Sequence, residues 1–168
     1  MQTALTVVTR IPEGQVEPLR AELDPARAAA GASLLDRFAA LPTLHFACLF
    51  IADATLDLPA SMVFEASVDG ATGDFLDLLL AIAGSELDAI YRYCADYPES
   101  AGRQIAKAYL LRHDFGAATF FAGCPGRSVG GIRRGAALLA ALQDVIDGGT
   151  GAAANLAGDI MAAARAIR

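Results

Sequence analysis

The sequence contains no tryptophan and only two histidines among its 168 residues. No spacing of its histidine, cysteine and acidic residues resembles a zinc site such as H-E-x-x-H or paired C-x-x-C. The sequence therefore predicts no metal site.

Cysteine is also sparse, and its three copies, Cys48, Cys94 and Cys124, are far apart. An odd number of widely spaced cysteines is typical of reduced thiols, so we expect a cytoplasmic protein. Cys124-Pro125 precedes a predicted helix start, a position that can lower a thiol pKa. Packing is the simpler interpretation of this cysteine, because no second cysteine lies near it in the sequence.

The chain has no excess of positive charge and no long apolar run. Its 13 basic and 19 acidic residues give a net charge of −6, which argues against a nucleic-acid-binding protein. Only Arg133-Arg134 pairs two basic residues, so no basic patch for a membrane surface is expected. The longest uncharged stretch, Phe38–Ala52, is broken by Pro42 and falls short of the about 18 residues of a membrane span. Met1–Arg10 lacks the order of a signal peptide, and we expect none.

Apolar residues are abundant, at 55% of the chain, and the mean hydropathy is +0.42. Alanine and glycine supply much of this, yet the value is high for a soluble monomer of this length. Such an excess indicates a buried subunit interface or an apolar cavity. We favour the interface, and so expect a homodimer.

The N-terminal half alternates between strand-like and helix-like patterns. β-branched and apolar residues predict strands at Ala4–Ile11, Leu44–Asp53 and Ser61–Val68, the last two joined as an antiparallel pair. Apolar residues three or four apart predict a helix from Val16 to Ala30 and a shorter one over Leu34–Phe38. Because Leu44–Asp53 is a continuous apolar run with His45 as its polar exception, we expect it to be central in the sheet or covered by an interface.

The C-terminal half contains further helices and one more predicted strand. A long helix follows Thr72, the expected N-cap, and Gly84-Ser85 is a point where it can split. The other elements follow in chain order: a helix over Ala101–Leu111, a strand over Ala117–Gly123, an amphipathic helix from Ile132 to Ile146 and, after a glycine hinge, a tail helix with Leu156, Ile160 and Ile167.

The first six principal elements have the order βαββαβ. This is the pattern of the ferredoxin-like fold, so we predict an α+β protein with an antiparallel ferredoxin-like sheet and extra C-terminal helices. We expect one domain over residues 1–147, with the hinge and tail helix at 148–168 packed on it.

Two short motifs resemble known functional signatures but lack their context. Gly126–Gly130 matches G-x-S-x-G, yet no histidine follows Ser128, as the hydrolase order requires. Ser128 is better explained as the N-cap of the next helix. Gly149–Ala154 matches G-x-G-x-x-A, but it follows a predicted helix, whereas a dinucleotide fingerprint follows a strand.

Four residues are candidate ligand-binding groups: His45, Asp69, His113 and Arg127. His45 interrupts an apolar strand, where it is either a hydrogen-bonded core histidine or a ligand-site histidine. Asp69 could also accept backbone hydrogen bonds in its turn, and His113-Asp114 could orient its own loop. Arg127 could pair with an anionic ligand or form a structural ion pair.

Several segments together resemble an uncharacterised bacterial family of ferredoxin-like, dimeric α+β-barrel proteins, over roughly residues 3–147. The segments are Leu44-His45-Phe46-Ala47, Met62-Val63-Phe64-Glu65, Val68-Asp69-Gly70, Ala89-Ile90-Tyr91 with Cys94 and Tyr97-Pro98, and Gly126-Arg127-Ser128. The wider superfamily includes small antibiotic-biosynthesis-type monooxygenases, chlorite dismutases and dye-decolourising peroxidases.

The resemblance implies a homodimer whose two sheets face each other around a cavity. It implies binding of an apolar or aromatic small molecule, with a monooxygenase-like oxidation as the enzymatic version. No cofactor is expected; haem is a variant for which only His113 could be the iron ligand, and the surrounding peroxidase motifs are absent. The alternative is a non-catalytic protein-interaction module that accompanies an oxidoreductase. Fold alone does not decide between them.

Overall fold

The computed structural model describes residues 2–24 and 33–148, together with Gly158, Met161 and Arg165. Two compact units make up the chain, residues 1–126 and 127–168. The strands are β1 (Gln2–Arg10), β2 (Leu44–Ala52) and β3 (Ser61–Asp69), and the helices are α1 (Val16–Glu22), α2 (Leu34–Ala39), α3 (Thr72–Tyr91), α4 (Arg103–Arg112) and α5 (Val129–Gly148).

The sheet has three strands in the order β1-β3-β2, and both pairs are antiparallel. The α+β class and the antiparallel pairing of β2 with β3 are therefore confirmed. β2 lies at an edge of the sheet, so the expectation that it is central is wrong. Its coverage by an interface stays a prediction.

The predicted fourth strand, Ala117–Gly123, does not form. Within the described part of the chain, the free edge of β1 pairs at Asp114, which bridges to Val7. The Asp114 carboxylate accepts the N–H of Thr6 at 2.9 Å and that of Gly116 at 2.8 Å, and Gly116 has a left-handed φ of 60°. The Asp114 side chain thus accepts a hydrogen bond that a backbone carbonyl of a fourth strand would otherwise accept. The chain then turns away from β1 after this single bridge.

One face of the sheet carries the hydrophobic core. Residues of β1 and β3 on this face, among them Leu5, Val7, Phe64 and Val68, are almost fully buried. Burial of a side chain of this size stabilises the fold by about 2 kcal/mol. The helices pack on this face through a shared apolar cluster, which includes Leu19, Phe38, Leu76, Leu80, Leu87 and Leu110.

Helix α3 follows the predicted apolar face closely, because Leu76, Leu80, Ala83, Leu87 and Ile90 are all buried. The helix is interrupted at Ala83, whose φ of −126° and ψ of 20° are not helical. This break is one residue before the predicted split at Gly84-Ser85.

Other helix boundaries differ from the prediction by a few residues. The N-cap of α3 is Ala71, one residue before the expected Thr72, and it makes no side-chain cap. Helix α1 ends at Glu22, short of Ala30, and residues 25–32 lie outside the described part of the chain. Helices α2 and α4 lie where the apolar spacing placed them.

In the second unit, α5 begins directly after Ser128. The Ser128 hydroxyl accepts the N–H of Gly131 at 3.1 Å, so its role as an N-cap is confirmed. The tail-helix residues Leu156, Ile160 and Ile167 lie outside the described residues. Among the residues that the structure describes, no helix is long and apolar enough to cross a membrane.

Candidate functional site

The face of the sheet opposite the core, here called the outer face, carries a second set of side chains. Strand register places the central ones in three rows that run across the sheet. None of them belongs to the core cluster, although Val63 is buried. The rows are Ala4, Ser67 and Phe46; Thr6, Glu65 and Cys48; and Val8, Val63 and Phe50.

Two phenylalanine side chains of β2 are exposed on the outer face, where a ligand or a partner can contact them. Phe46 is 58% exposed and Phe50 is 44% exposed. Adjacent side chains of a strand point to opposite faces, so Ala47, Leu49 and Ile51 pack toward the core while both rings point outward. The continuous apolar run of β2 therefore has one covered face and one face that remains accessible.

A β-bulge sets the position of His45. Leu44 pairs with Val68 and Phe46 with Ser67, so His45 is an extra residue in β2. Leu44 and Ala47 both pack against the core, which leaves His45 and Phe46 together on the outer face. Bulges commonly redirect a side chain in this way.

His45 joins two residues from the neighbouring strand ends. Its Nε2 lies 2.9 Å from Oδ1 of Asp69 and 3.1 Å from the side-chain amide of Gln2. An ionised carboxylate only accepts hydrogen bonds, so the tautomer that donates to Asp69 has its hydrogen on Nε2. In that tautomer Nε2 cannot also accept from the Gln2 amide nitrogen, so Gln2 is a close polar neighbour of the ring and not its hydrogen-bond donor. Gln2 pairs with Asp69 across the β1–β3 ladder. The three side chains form a polar cluster at one end of the outer face.

The middle row carries a second polar pair, Glu65 and Cys48. The Cys48 thiol donates to Oε2 of Glu65 across 3.6 Å. Burial, together with the nearby Glu65 carboxylate, raises the pKa of the Cys48 thiol. This thiol stays protonated near neutral pH and is not an activated nucleophile.

His113 is not part of the polar cluster at His45. Its backbone carbonyl accepts the N–H of Val8 on the free edge of β1, and Val8 lies about 20 Å along the strand from Gln2. The His113 Nδ1 donates to the carbonyl of Tyr109 at 2.9 Å, and the two rings lie 4.3 Å apart. This is a helix-end contact, and haem remains an implication of the resemblance alone.

The structure thus brings together two of the four predicted site residues, His45 and Asp69. Arg127 belongs to the second unit. Sequence reasoning missed Gln2 and Glu65 as members of this surface. The available signal was strand alternation, which puts Glu65 on the same face as Asp69.

Three tyrosines that belong to the core or pack against it are a further group of polar side chains. The Tyr91, Tyr97 and Tyr109 rings pack with centroids 5.1 to 6.2 Å apart. Burial raises the pKa of Cys94 beside them to about 11, and the hydrogen bond from the Thr9 hydroxyl at 3.2 Å acts in the opposite direction. These groups stay protonated and tightly packed, which is typical of core structure.

Comparison with models of known protein families, with curated proteins and with solved structures finds no match for this chain.

Proposed function

We propose that this chain is a small-molecule-binding protein whose site is the outer face of the sheet, enclosed when a second copy of the chain covers it. The observation that carries the proposal is the pair of exposed rings, Phe46 and Phe50, on a face that also holds the His45–Asp69 hydrogen bond. The arrangement corresponds to the dimeric α+β barrel that the sequence resembles.

The sheet topology is compatible with a ferredoxin-like fold. In that fold a fourth strand pairs antiparallel with the free edge of β1, which is the edge where Asp114 makes an antiparallel bridge to Val7. The order β1-β3-β2 is the order of the first three strands in a ferredoxin-like sheet. We propose that the chain is a reduced version of this fold, in which the fourth strand is shortened to a single bridge.

The exposed apolar surface supports a second copy as the cover. Three strands of this length span about 30 Å by 14 Å, or on the order of 400 Å² for each copy. A face of that size buries about 800 Å² in a dimer, which is less than the about 1,200 Å² at which stable specific interfaces begin. We therefore expect a dimer of modest affinity, strengthened when a ligand fills the space between the sheets.

The ligand in this proposal is an apolar or aromatic molecule with one polar group. Its apolar body packs on Phe46 and Phe50, while the polar cluster at Gln2, His45 and Asp69 orients the polar group. Such a distribution, mostly apolar with few fixed polar groups, is typical of small-molecule sites. An oxidation of the monooxygenase type is the activity that the resemblance adds to this site.

A second candidate function, a protein-interaction module, is favoured by the turn between β2 and β3. Leu56 is fully exposed and Leu58 is 67% exposed in this turn. The turn is nevertheless ordered, because the Thr55 N–H donates to the Leu58 carbonyl at 2.9 Å and the Thr55 hydroxyl accepts the Leu58 N–H at 3.1 Å. Two leucines held outward by a closed turn are suited to a pocket on another protein.

The test measures the mass of the protein in solution by analytical ultracentrifugation over a range of concentrations. We expect a monomer–dimer equilibrium that Phe46→Ser and Phe50→Ser shift to monomer. The matched control is Leu35→Ser, because Leu35 is also an exposed large apolar residue but lies on α2. A wild-type protein that stays monomeric at all concentrations contradicts the enclosed site. Loss of a heterologous complex in Leu56→Ser alone favours the interaction module.

A further inference from the structure

We infer that the ligand of the outer face carries a protonated amine, which pairs with the carboxylate of Glu65. This inference rests on the proposed function and names the chemical class of the ligand. It comes from the position of Glu65, from the charges around it and from the rings beside it.

Glu65 lies at the centre of the outer face. It is in the middle strand and in the middle row, between Thr6 on β1 and Cys48 on β2. Directly opposed side chains in antiparallel strands are about 5 Å apart at Cβ, so both neighbours are within reach of a group bound at the carboxylate. Any molecule that lies flat on this face contacts Glu65.

The charges around Glu65 favour a cation. The three rows contain no lysine and no arginine, and Glu65 is their one acidic residue. Asp69, at the polar end, adds a second carboxylate, with His45 donating to it. Arg10 pairs with Ser61 at the far end of the sheet, beyond the apolar row. An anionic ligand would meet two carboxylates here.

Coverage of the face by a second copy makes a cation beside Glu65 still more favourable. A carboxylate that loses its water without gaining a cationic or hydrogen-bonding partner costs several kcal/mol. The one donor that the described residues supply to Glu65 is the Cys48 thiol, which is a weak donor. A bound ammonium group supplies the missing charge and up to three donors.

The two exposed rings give the cation a second attraction. Phe46 and Phe50 lie one position diagonally from Glu65 on the neighbouring strand, at about 7 Å. An ammonium group on the carboxylate is therefore near the range of about 6 Å at which aromatic rings attract cations. The hydrocarbon part of the same ligand packs against the rings.

The test uses three probes of similar shape and different charge: 2-phenylethylamine, 2-phenylethanol and phenylacetate. Binding to wild-type protein is measured by isothermal titration calorimetry at pH 7, where an alkyl amine is protonated. We expect the amine to bind at least about tenfold more tightly than the alcohol, which is the range of one hydrogen bond to a charged group. Phenylacetate is expected to bind most weakly.

Variants locate the effect at Glu65. Glu65→Gln keeps the size and removes the charge, so we expect it to lose about tenfold in amine affinity and to lose much less in alcohol affinity. Glu65→Asp keeps the charge and should retain the preference for the amine. Glu13→Gln removes the same charge in the exposed turn after β1 and should change nothing.

The outcomes separate this inference from the proposed function. Equal binding of the amine and the alcohol, or an unchanged amine affinity in Glu65→Gln, overturns the amine inference while the small-molecule site stands. Failure of all three probes to bind wild-type protein overturns the small-molecule site itself, and the inference with it.

Discussion

Nε2 of His45 lies 2.9 Å from Oδ1 of Asp69, although the two residues are on different strands and His45 has no direct partner in the β-ladder. The bulge after Leu44 makes this contact possible, because it puts two successive side chains of β2 on the outer face. The hydrogen bond joins an edge strand to the middle strand at the polar end of that face.

The His45–Asp69 contact is expected to be a coupled pair. Asp69→Ala should lower the free energy of unfolding by about 1 kcal/mol, the typical net value of one hydrogen bond. A double-mutant cycle with His45→Ala should give a coupling energy of at least about 0.5 kcal/mol, measured by urea unfolding. Asp57→Ala, in the exposed turn before β3, is the control. Strictly additive effects of the two substitutions would contradict the pairing.

Asp114 should stabilise the free edge of β1 through its carboxylate. Its Oδ1 accepts the N–H groups of Thr6 and Gly116, so Asp114→Ala removes two hydrogen bonds and should cost about 2 kcal/mol. Asp114→Asn keeps an accepting oxygen and should cost clearly less. Hydrogen exchange of the Thr6 amide reports the same contact, and we expect faster exchange in the alanine variant. An exchange rate equal to that of wild-type protein would show that another group accepts this N–H.

These two contacts also mark what sequence patterns can and cannot predict here. β2 and β3 follow from short runs of β-branched and apolar residues, and the buried stripe of α3 follows from its helical periodicity. The missing fourth strand could not be foreseen, because Ala117–Gly123 has strand-like residues and the contact of Asp114 with Thr6, where the chain leaves β1, is long-range.

The candidate site was predictable in part for a related reason. His45 and Asp69 stand out as polar residues in or beside apolar strands, and they were predicted singly. Their pairing depends on the register of β2 against β3, which includes a bulge that no local pattern indicates. Gln2 joins them from a strand 43 residues away in sequence. Contacts of that range follow from tertiary structure.

The buried Cys94 thiol should make the protein sensitive to alkaline pH. Burial raises its pKa from 9.0 to about 11, so the native state holds a proton that the unfolded chain has lost in this interval. Stability from this group is complete below pH 9 and falls between pH 9 and 11, by about 1.4 kcal/mol for each pH unit. The free energy of unfolding, measured with urea at pH 8, 9 and 10 under reducing conditions, should fall less steeply in Cys94→Ala.

Two features sharpen this measurement. Cys124 is exposed, so Cys124→Ala should show the wild-type slope. Burial also raises the pKa of Tyr91, Tyr97 and Tyr109. These tyrosines therefore make the free energy of unfolding fall at higher pH in every variant. Identical slopes for Cys94→Ala and wild-type protein between pH 8 and 10 would mean that burial does not raise the pKa of this thiol above its value in the unfolded chain.

The ion pair between Arg37 and Glu86 should contribute slightly to the free energy of unfolding, and this contribution should be lost in acid. Burial alone would raise the pKa of Glu86, but hydrogen bonds from Arg37, at 2.7 Å, and from Ser85 lower it below its ordinary value of 4.5. Its stabilisation is therefore complete above pH 4.5 and is lost as the pH falls through the lower native pKa.

Arg37→Gln tests this pair, which links α2 to α3. We expect a loss below about 1 kcal/mol at pH 7, because the guanidinium is 43% exposed and water screens the pair. The difference from wild-type protein should disappear at pH 2, measured by thermal unfolding. The control is Arg92→Gln, whose partner Glu99 lies 4.0 Å away on an exposed surface. A loss at pH 2 equal to that at pH 7 would assign the effect to packing.

The bulge in β2 has a consequence for how this protein can change over time. Because His45 is one extra residue between Leu44 and Phe46, its removal would restore unbroken alternation, with Leu44 and Ala47 still facing the core and Phe46 still facing outward. Deletion of one codon, that of His45, would thus remove the polar cluster and leave the architecture of the sheet intact. A lineage can gain or discard the imidazole without disturbing the hydrophobic layer beneath it.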